Sequence, residues 1–168
     1  MSIAHSQKPA AFRLIVVGTE WAARFAEERS RIAQALAGSA LDIQHIGSTA
    51  IPGITAKPVL DIAVAIHDFE SGNALVPALV ALGYTYRGEN GIPRRHYFER
   101  GDTYHLHVFD LGGMDWQRHL RFRDRLLASP ELAARYSQVK LAAARDSGGD
   151  RERYQELKAS FIEAVQNL

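Results

Sequence analysis

The chain has no cysteine, no unbroken apolar run of membrane length and almost no net charge, and each absence narrows what it does. Without cysteine there is no disulfide scaffold, no thiol nucleophile, no iron–sulfur cluster and no cysteine-ligated zinc. Any metal must therefore be held by histidine, carboxylate or hydroxyl groups. The longest apolar run, Val59 to Ile66, is broken by Asp61 and is far shorter than the roughly 20 residues a membrane helix needs. Lys plus Arg number 20 against 19 Asp plus Glu, a formal charge of +1 that excludes broad electrostatic adhesion to nucleic acid or membrane. A local Arg cluster can still hold a phosphate. The first twelve residues carry one lysine and lack a signal peptide's apolar core, so a cytoplasmic location is expected.

At 168 residues the chain is long enough for one self-sufficient core. Residues 1–11 read as a flexible leader and 12–168 as one domain. Phe12 to Val17 is a short β-type run, and a helix follows with Thr19 as N-cap and Trp21, Phe25, Ile32 and Leu36 on one stripe. Leu41 to Ile46 is a brief strand. From Val59 the period is two: Leu60, Ile62, Val64 and Ile66 share one face, Asp61, Ala63 and Ala65 the other. A helix is expected over about 74–82, then strands over 84–87, 94–100 and 103–109. Three helices close the chain from about residue 115, the second opened by Ser129-Pro130. That order predicts an α/β (α+β) fold, a mixed β-sheet with C-terminal helices.

The most informative segment runs from His45 to Ile62, HIGSTAIPGITAKPVLDI. Its composition suits phosphate handling. Gly47 permits close backbone approach, Ser48 and Thr49 offer hydroxyls and amides, and Lys57 supplies a point charge. Asp61, on the strand just beyond, is placed to hold a divalent cation against the same phosphates. Neither a Walker loop nor a dinucleotide-binding fingerprint is present.

This string resembles the GrpB family, which is assigned to the polymerase-β-like nucleotidyltransferase superfamily. The likeness extends to HLHV at 105–108, FRDRL at 122–126, Tyr136 with Lys140, and Tyr154 with Lys158 and Phe161. The resemblance implies a nucleotidyltransferase-like core in which Gly47 and Ser48 hold a triphosphate and Asp61 is one acid of an Asp-x-Asp metal pair. Ala63 stands where the second acid belongs. Two-metal transfer needs two or three carboxylates, and this segment shows one.

The predicted hairpin offers replacements. If Gly101-Asp102 are both turn residues, Phe98 faces His105 and His96 faces His107, which assembles three imidazoles. A turn longer by one residue instead brings Arg95, Tyr97 and Glu99 to that face. Turn chemistry favours the first. Asp61 with His105, His107 and His96 would then hold a divalent metal, Mg or Mn, or a transition metal that prefers histidine. Arg94 and Arg95 are candidates to clamp phosphate, Arg123 to face ligand from its helix, and Lys140 and Lys158 are weaker candidates of the same kind. Trp21, Trp116, Tyr136 and Phe161 read as core anchors, and His5, His67 and His119 as surface or packing residues.

The leading expectation is a metal-dependent nucleotidyltransferase acting on a nucleoside triphosphate and an unidentified acceptor, with Asp61 catalytic. Its partner is a nucleotide or phosphorylated small molecule. The rivals are a non-catalytic nucleotide or CoA-precursor binding module and a histidine-metal hydrolase.

Overall fold

The computed structural model describes residues 12–168; the predicted leader, 1–11, lies outside the described residues. The chain order is β1 (Ile15–Val16), α1 (Glu20–Leu36), β2 (Asp42–Ile46), β3 (Thr55–Ala56), β4 (Leu60–Ile66), α2 (Val76–Ala81), β5 (Thr85–Tyr86), β6 (His96–Arg100), β7 (Tyr104–Asp110), α3 (Met114–Ala128), α4 (Pro130–Asp146) and α5 (Arg151–Gln166). One-turn 3-10 segments occupy Ser48–Ala50, and a longer one, Phe69–Leu75, leads into α2. The sheet is mixed, in the order β2-β4-β7-β6-β5, with β4 and β7 parallel and the other pairs antiparallel. β1 and β3 form a separate antiparallel pair. Among the described residues no helix is long and apolar enough to cross a membrane.

The period-two pattern of β4 divides the interior. Leu60, Ile62, Val64 and Ile66 join Leu106, Val108 and Phe98 in one core with Ile32 and Leu36 of α1 and Leu79 of α2. Ala63 and Ala65 turn the other way, against Ile46, Phe109 and Trp116 of α3. Small residues at 63 and 65 let the indole approach, so the face that carries Asp61 is apolar along the rest of its strand. α1 stops where Ala37 and Gly38 take left-handed conformations, at φ 47° and 90°. Buried Glu28 ties α1 to the far edge of the sheet: it accepts hydrogen bonds from Tyr84 and Arg100, both at 2.9 Å, and from Arg31. A buried carboxylate is tolerated because its oxygens are met by two guanidinium groups and a phenol.

The β6–β7 register corrects the preferred hairpin. Arg100 pairs with Tyr104, so the turn has three residues, Gly101 to Thr103, and Glu99 faces His105 while Tyr97 faces His107. Burial decides it. This register seats Phe98 in the core at full burial and leaves Glu99 at the rim, whereas a one-residue slip would drive Glu99 and Arg95 into the aliphatic layer. Thr103 O accepts from Leu60 N at 2.6 Å, so the β4–β7 pairing continues into the turn.

His96 accordingly leaves the candidate metal set. It lies on the opposite face from Asp61, stacked on Phe69 with ring centroids 4.2 Å apart. Its Nε2–H donates to Phe69 O at 2.7 Å and its Nδ1 accepts from the Tyr86 hydroxyl at 2.8 Å. Gly72 leaves room for the ring, because a Cβ there would sit 2.2 Å from Nε2.

Candidate functional site

One face of β4, β7 and β6, the segment around β3 and helices α4 and α5 enclose a cleft of about 670 Å³. Asp61, at the start of β4, stands on its floor, with His105 and His107 beside it on β7. The parallel β4–β7 pairing produces this directly: Asp61 is register partner to His105, and His107 is two residues further along the same face. His107 Nε2 lies 3.0 Å and His105 Nδ1 3.5 Å from the same carboxylate oxygen, Oδ1. Oδ2 lies against Gly47, where a Cβ would come within 2.6 Å of it. That close approach, at φ 70°, is what position 47 needs glycine for. Burial acts to raise the Asp61 pKa, but the hydrogen bonds from His105 and His107 and their charge outweigh it and hold the carboxyl well below the usual range.

The opposite wall is cationic. Lys57, Lys140 and Lys158 all line the cleft, and Arg151 joins them. Each lysine rests on an aromatic face instead of a carboxylate. Lys57 Nζ is 3.6 Å from the Phe12 ring centroid and 4.0 Å from that of Tyr154; Lys158 Nζ is 4.2 Å from Tyr154, and Lys140 Nζ 4.4 Å from Tyr136. Among the described residues none of the three ammonium groups is ion-paired, and the buried Lys140 Nζ has no hydrogen-bond partner at all. Burial, with a neighbouring cation in each case, pushes Lys140 down to about 7 and Lys57 and Lys158 to about 8. Three amines of depressed pKa that meet no carboxylate directly make a wall suited to an entering anion.

The structure brings together some of the predicted residues and separates others. Ser48, Lys57, Asp61, Arg95, His105 and His107 all line the cleft, and Gly47 lies directly beneath Asp61. The Thr49 hydroxyl is engaged within the scaffold: it donates to Val59 O at 2.8 Å and accepts from His45 Nε2 at 3.0 Å, which pins the loop from within. Arg123 faces the other way, bound to Gln44 Oε1 at 2.8 Å, His45 O at 3.0 Å and Asp124. Arg94 pairs on the surface with Glu70 and Asp110. Arg95 reaches the cleft with its guanidinium bound to the Glu89 and Asn90 carbonyls and to His107. Trp21, Trp116 and Tyr136 are buried core residues. Arg151, absent from the sequence expectations, and Lys140 and Lys158, the weaker candidates there, all line the cleft. The lysines' signal was the repeated Tyr-x-x-x-Lys spacing, which on a helix sets an amine over the ring one turn earlier.

A two-cation centre asks for two or three carboxylates. Among the described residues no three histidine, aspartate or glutamate side chains are arranged to hold an ion. Ala63, fully buried, gives a second cation no carboxylate, and the facing wall carries like charge. The residues present do not fit a two-cation centre.

Two buried imidazoles make acid stability a useful check. His45, stacked on Phe25, and His119, whose ring centroid is 5.4 Å from that of Phe109, are both pushed down to about 4, chiefly by burial. In the unfolded chain each ionises near 6.5, so below that value the unfolded state binds more protons and stability falls as pH drops toward 4. Asp61 acts only further down, below its ordinary 3.8. His119→Phe is expected to recover roughly 1–2 kcal/mol of the stability lost between pH 6.5 and 4.5, read from urea unfolding at the two values. An unchanged slope would mean that His119 stays charged in the fold.

The family described as GrpB protein matches residues 12–167. The UPF0157 protein YqkA of Bacillus subtilis is 32% identical over 169 residues, spanning 99% of this chain and 49% of YqkA, so the chain matches about half the length of that relative. The crystal structure of the conserved protein GrpB from Enterococcus faecalis superposes at TM-score 0.85 with 30% identity, covering 92% of this chain and 95% of that one. Cid1, an RNA terminal uridylyl transferase, is a distant likeness at TM-score 0.42 and 11% identity, over 72% of this chain and 40% of the other.

Proposed function

The chain belongs to the GrpB family, and from that premise we propose that its cleft binds a nucleotide or related phosphorylated small molecule and presents it to an acceptor for nucleotidyl transfer. The observation that carries the reading is the set of two buried lysines, Lys140 and Lys158, and the half-buried Lys57, none paired with a carboxylate among the described residues, facing a carboxylate held ionised. Phosphate oxygens satisfy those amines by charge-assisted hydrogen bonds and restore the charge that burial opposes. Ser48 adds a hydroxyl at the same rim.

Asp61 then addresses the acceptor. A carboxylate of such low basicity is a weak proton abstractor but a strong hydrogen-bond acceptor. Its role is to orient the attacking hydroxyl or amine in line with the phosphorus while the lysines neutralise charge on the phosphates. As the acceptor's oxygen or nitrogen bonds to the α-phosphorus, the bond from that phosphorus to the bridging oxygen breaks and pyrophosphate departs, its charge met by the lysines; the acceptor's proton leaves late, to solvent or phosphate. The second reading, a binding module without transfer, is favoured by the packing of Ala63 under Trp116 where a second acid would stand.

Thermal unfolding with a panel of nucleotides and CoA precursors tests both. A ligand at a hundred times its Kd adds about 2.7 kcal/mol, which for a domain of this size raises Tm by roughly 5–10 °C. Asp61→Asn is expected to preserve that rise and abolish incorporation of α-phosphate label into an acceptor pool. A rise without incorporation in either protein supports the binding module. Failure of every phosphorylated compound to raise Tm sinks the proposal.

A further inference from the structure

Arg95 is almost fully buried and nearly saturated. Its Nε and Nη2 donate to Glu89 O at 3.2 and 3.1 Å, and Nη2 also donates to Asn90 O at 2.7 Å. The plane lies over the Tyr97 ring, 4.7 Å from its centroid. Nη1 points at His107 Nδ1, 3.3 Å away. A guanidinium keeps all its protons, so a hydrogen bond between these atoms requires the lone pair on Nδ1. The single proton of a neutral ring then sits on Nε2, which faces Asp61 Oδ1 at 3.0 Å.

We propose that Arg95 is a positioning residue: it fixes the ring proton of His107 on Nε2, making that histidine a permanent donor to Asp61 Oδ1 instead of a metal ligand, and leaving Oδ2 to receive the acceptor. The tautomer follows from the hydrogen-bond chain alone; the use of Oδ2 rests on the phosphate reading above. A cation on Nε2 would need the lone pair there and would move the ring proton to Nδ1, where it would meet an Arg95 N–H donor head-on. Metal-bound histidines turn their remote N–H toward an acceptor; here the remote nitrogen faces a donor that also carries positive charge. Lys57, Lys140 and Lys158 line the same cleft and add to the field against a divalent ion.

Long-range proton–nitrogen NMR of the histidine-labelled protein reads the tautomer without any substrate. In the wild type His107 is expected to show a protonated Nε2 and an unprotonated Nδ1 through neutral pH, unmoved by added Zn²⁺ or Mn²⁺. Arg95→Met is expected to give a mixture of the two tautomers and to bind Zn²⁺ at least about tenfold more tightly. An Nδ1-protonated ring in the wild type overturns the proposal, as does Zn²⁺ shifting His107 there. A ring that stays wholly Nε2-protonated in Arg95→Met also overturns it, because the arginine would then not be what fixes the proton. Should Arg95→Met fail to fold, the wild-type tautomer and its response to Zn²⁺ decide alone. Absence of phosphate binding would leave all these signals in place, so the two readings fail separately.

Discussion

Lys140→Met is expected to give a protein more stable than its parent and no longer stabilised by phosphorylated ligands. The residue is 1% exposed, and among the described residues its amine has no hydrogen-bond partner and rests on the Tyr136 ring. Burial first, and Lys158 second, bring its pKa from 10.5 to about 7. Between those values the unfolded chain binds the proton and the folded one sheds it. The parent therefore gains stability as pH rises from about 7 toward 10 and carries the full burial cost below 7. Above 10 the buried tyrosines reverse the trend, because Tyr84 and Tyr136 ionise more readily once unfolded. Methionine fills nearly the same volume without the charge, so a gain of roughly 2–4 kcal/mol at pH 7 is expected, shrinking toward pH 10. Affinity for a phosphorylated ligand should fall about 100-fold, the worth of a buried charge-assisted hydrogen bond. Urea unfolding at pH 6, 7 and 9.5, with and without nucleotide, measures both effects. A variant less stable than the parent at pH 6 would show that the amine is already compensated within the fold.

That stability and ligand response should move in opposite directions is the mark of a site built at the expense of the core. The same tension explains what the sequence disclosed and what it hid. Gly47 and Asp61 were legible because each is signalled locally, one by a Gly-rich break and the other by period-two alternation, and a mixed sheet suffices to bring them together. The hairpin register was not. Gly101-Asp102 suits a two-residue turn by local preference, but the register is set by what the whole strand buries. Phe98 competes for the core more strongly than the turn dipeptide competes for its geometry. The cationic wall was harder still, because Lys57, Lys140 and Lys158 come from a loop and two helices that only tertiary packing gathers around one cleft. Arg123 failed for the converse reason: a basic residue near a site motif finds its partners in Gln44 and the His45 carbonyl, inside the scaffold.

Gly47→Ala is expected to damage fold and site together, and Gly53→Ala separates the two effects. Both glycines hold positive φ, 70° and 85°, so alanine at either brings backbone strain of about 1–2 kcal/mol. At Gly53 that is all, because among the described residues, its chain neighbours aside, nothing lies within 4 Å of the added Cβ. At Gly47 the new methyl would sit 2.6 Å from Asp61 Oδ2 and 3.0 Å from Asp61 Cβ. The carboxylate has no easy retreat, since Oδ1 is held by His107 and approached by His105. Relief requires either breaking those contacts or shifting the strand, so Gly47→Ala should cost roughly 3–4 kcal/mol in all, about 2 kcal/mol more than Gly53→Ala. Denaturant unfolding of the two variants gives the difference directly, and His107 chemical shifts report whether the carboxylate has moved. Equal losses would place Asp61 away from the glycine bend, and with it would go the premise that one pocket joins the carboxylate to the phosphate-binding wall.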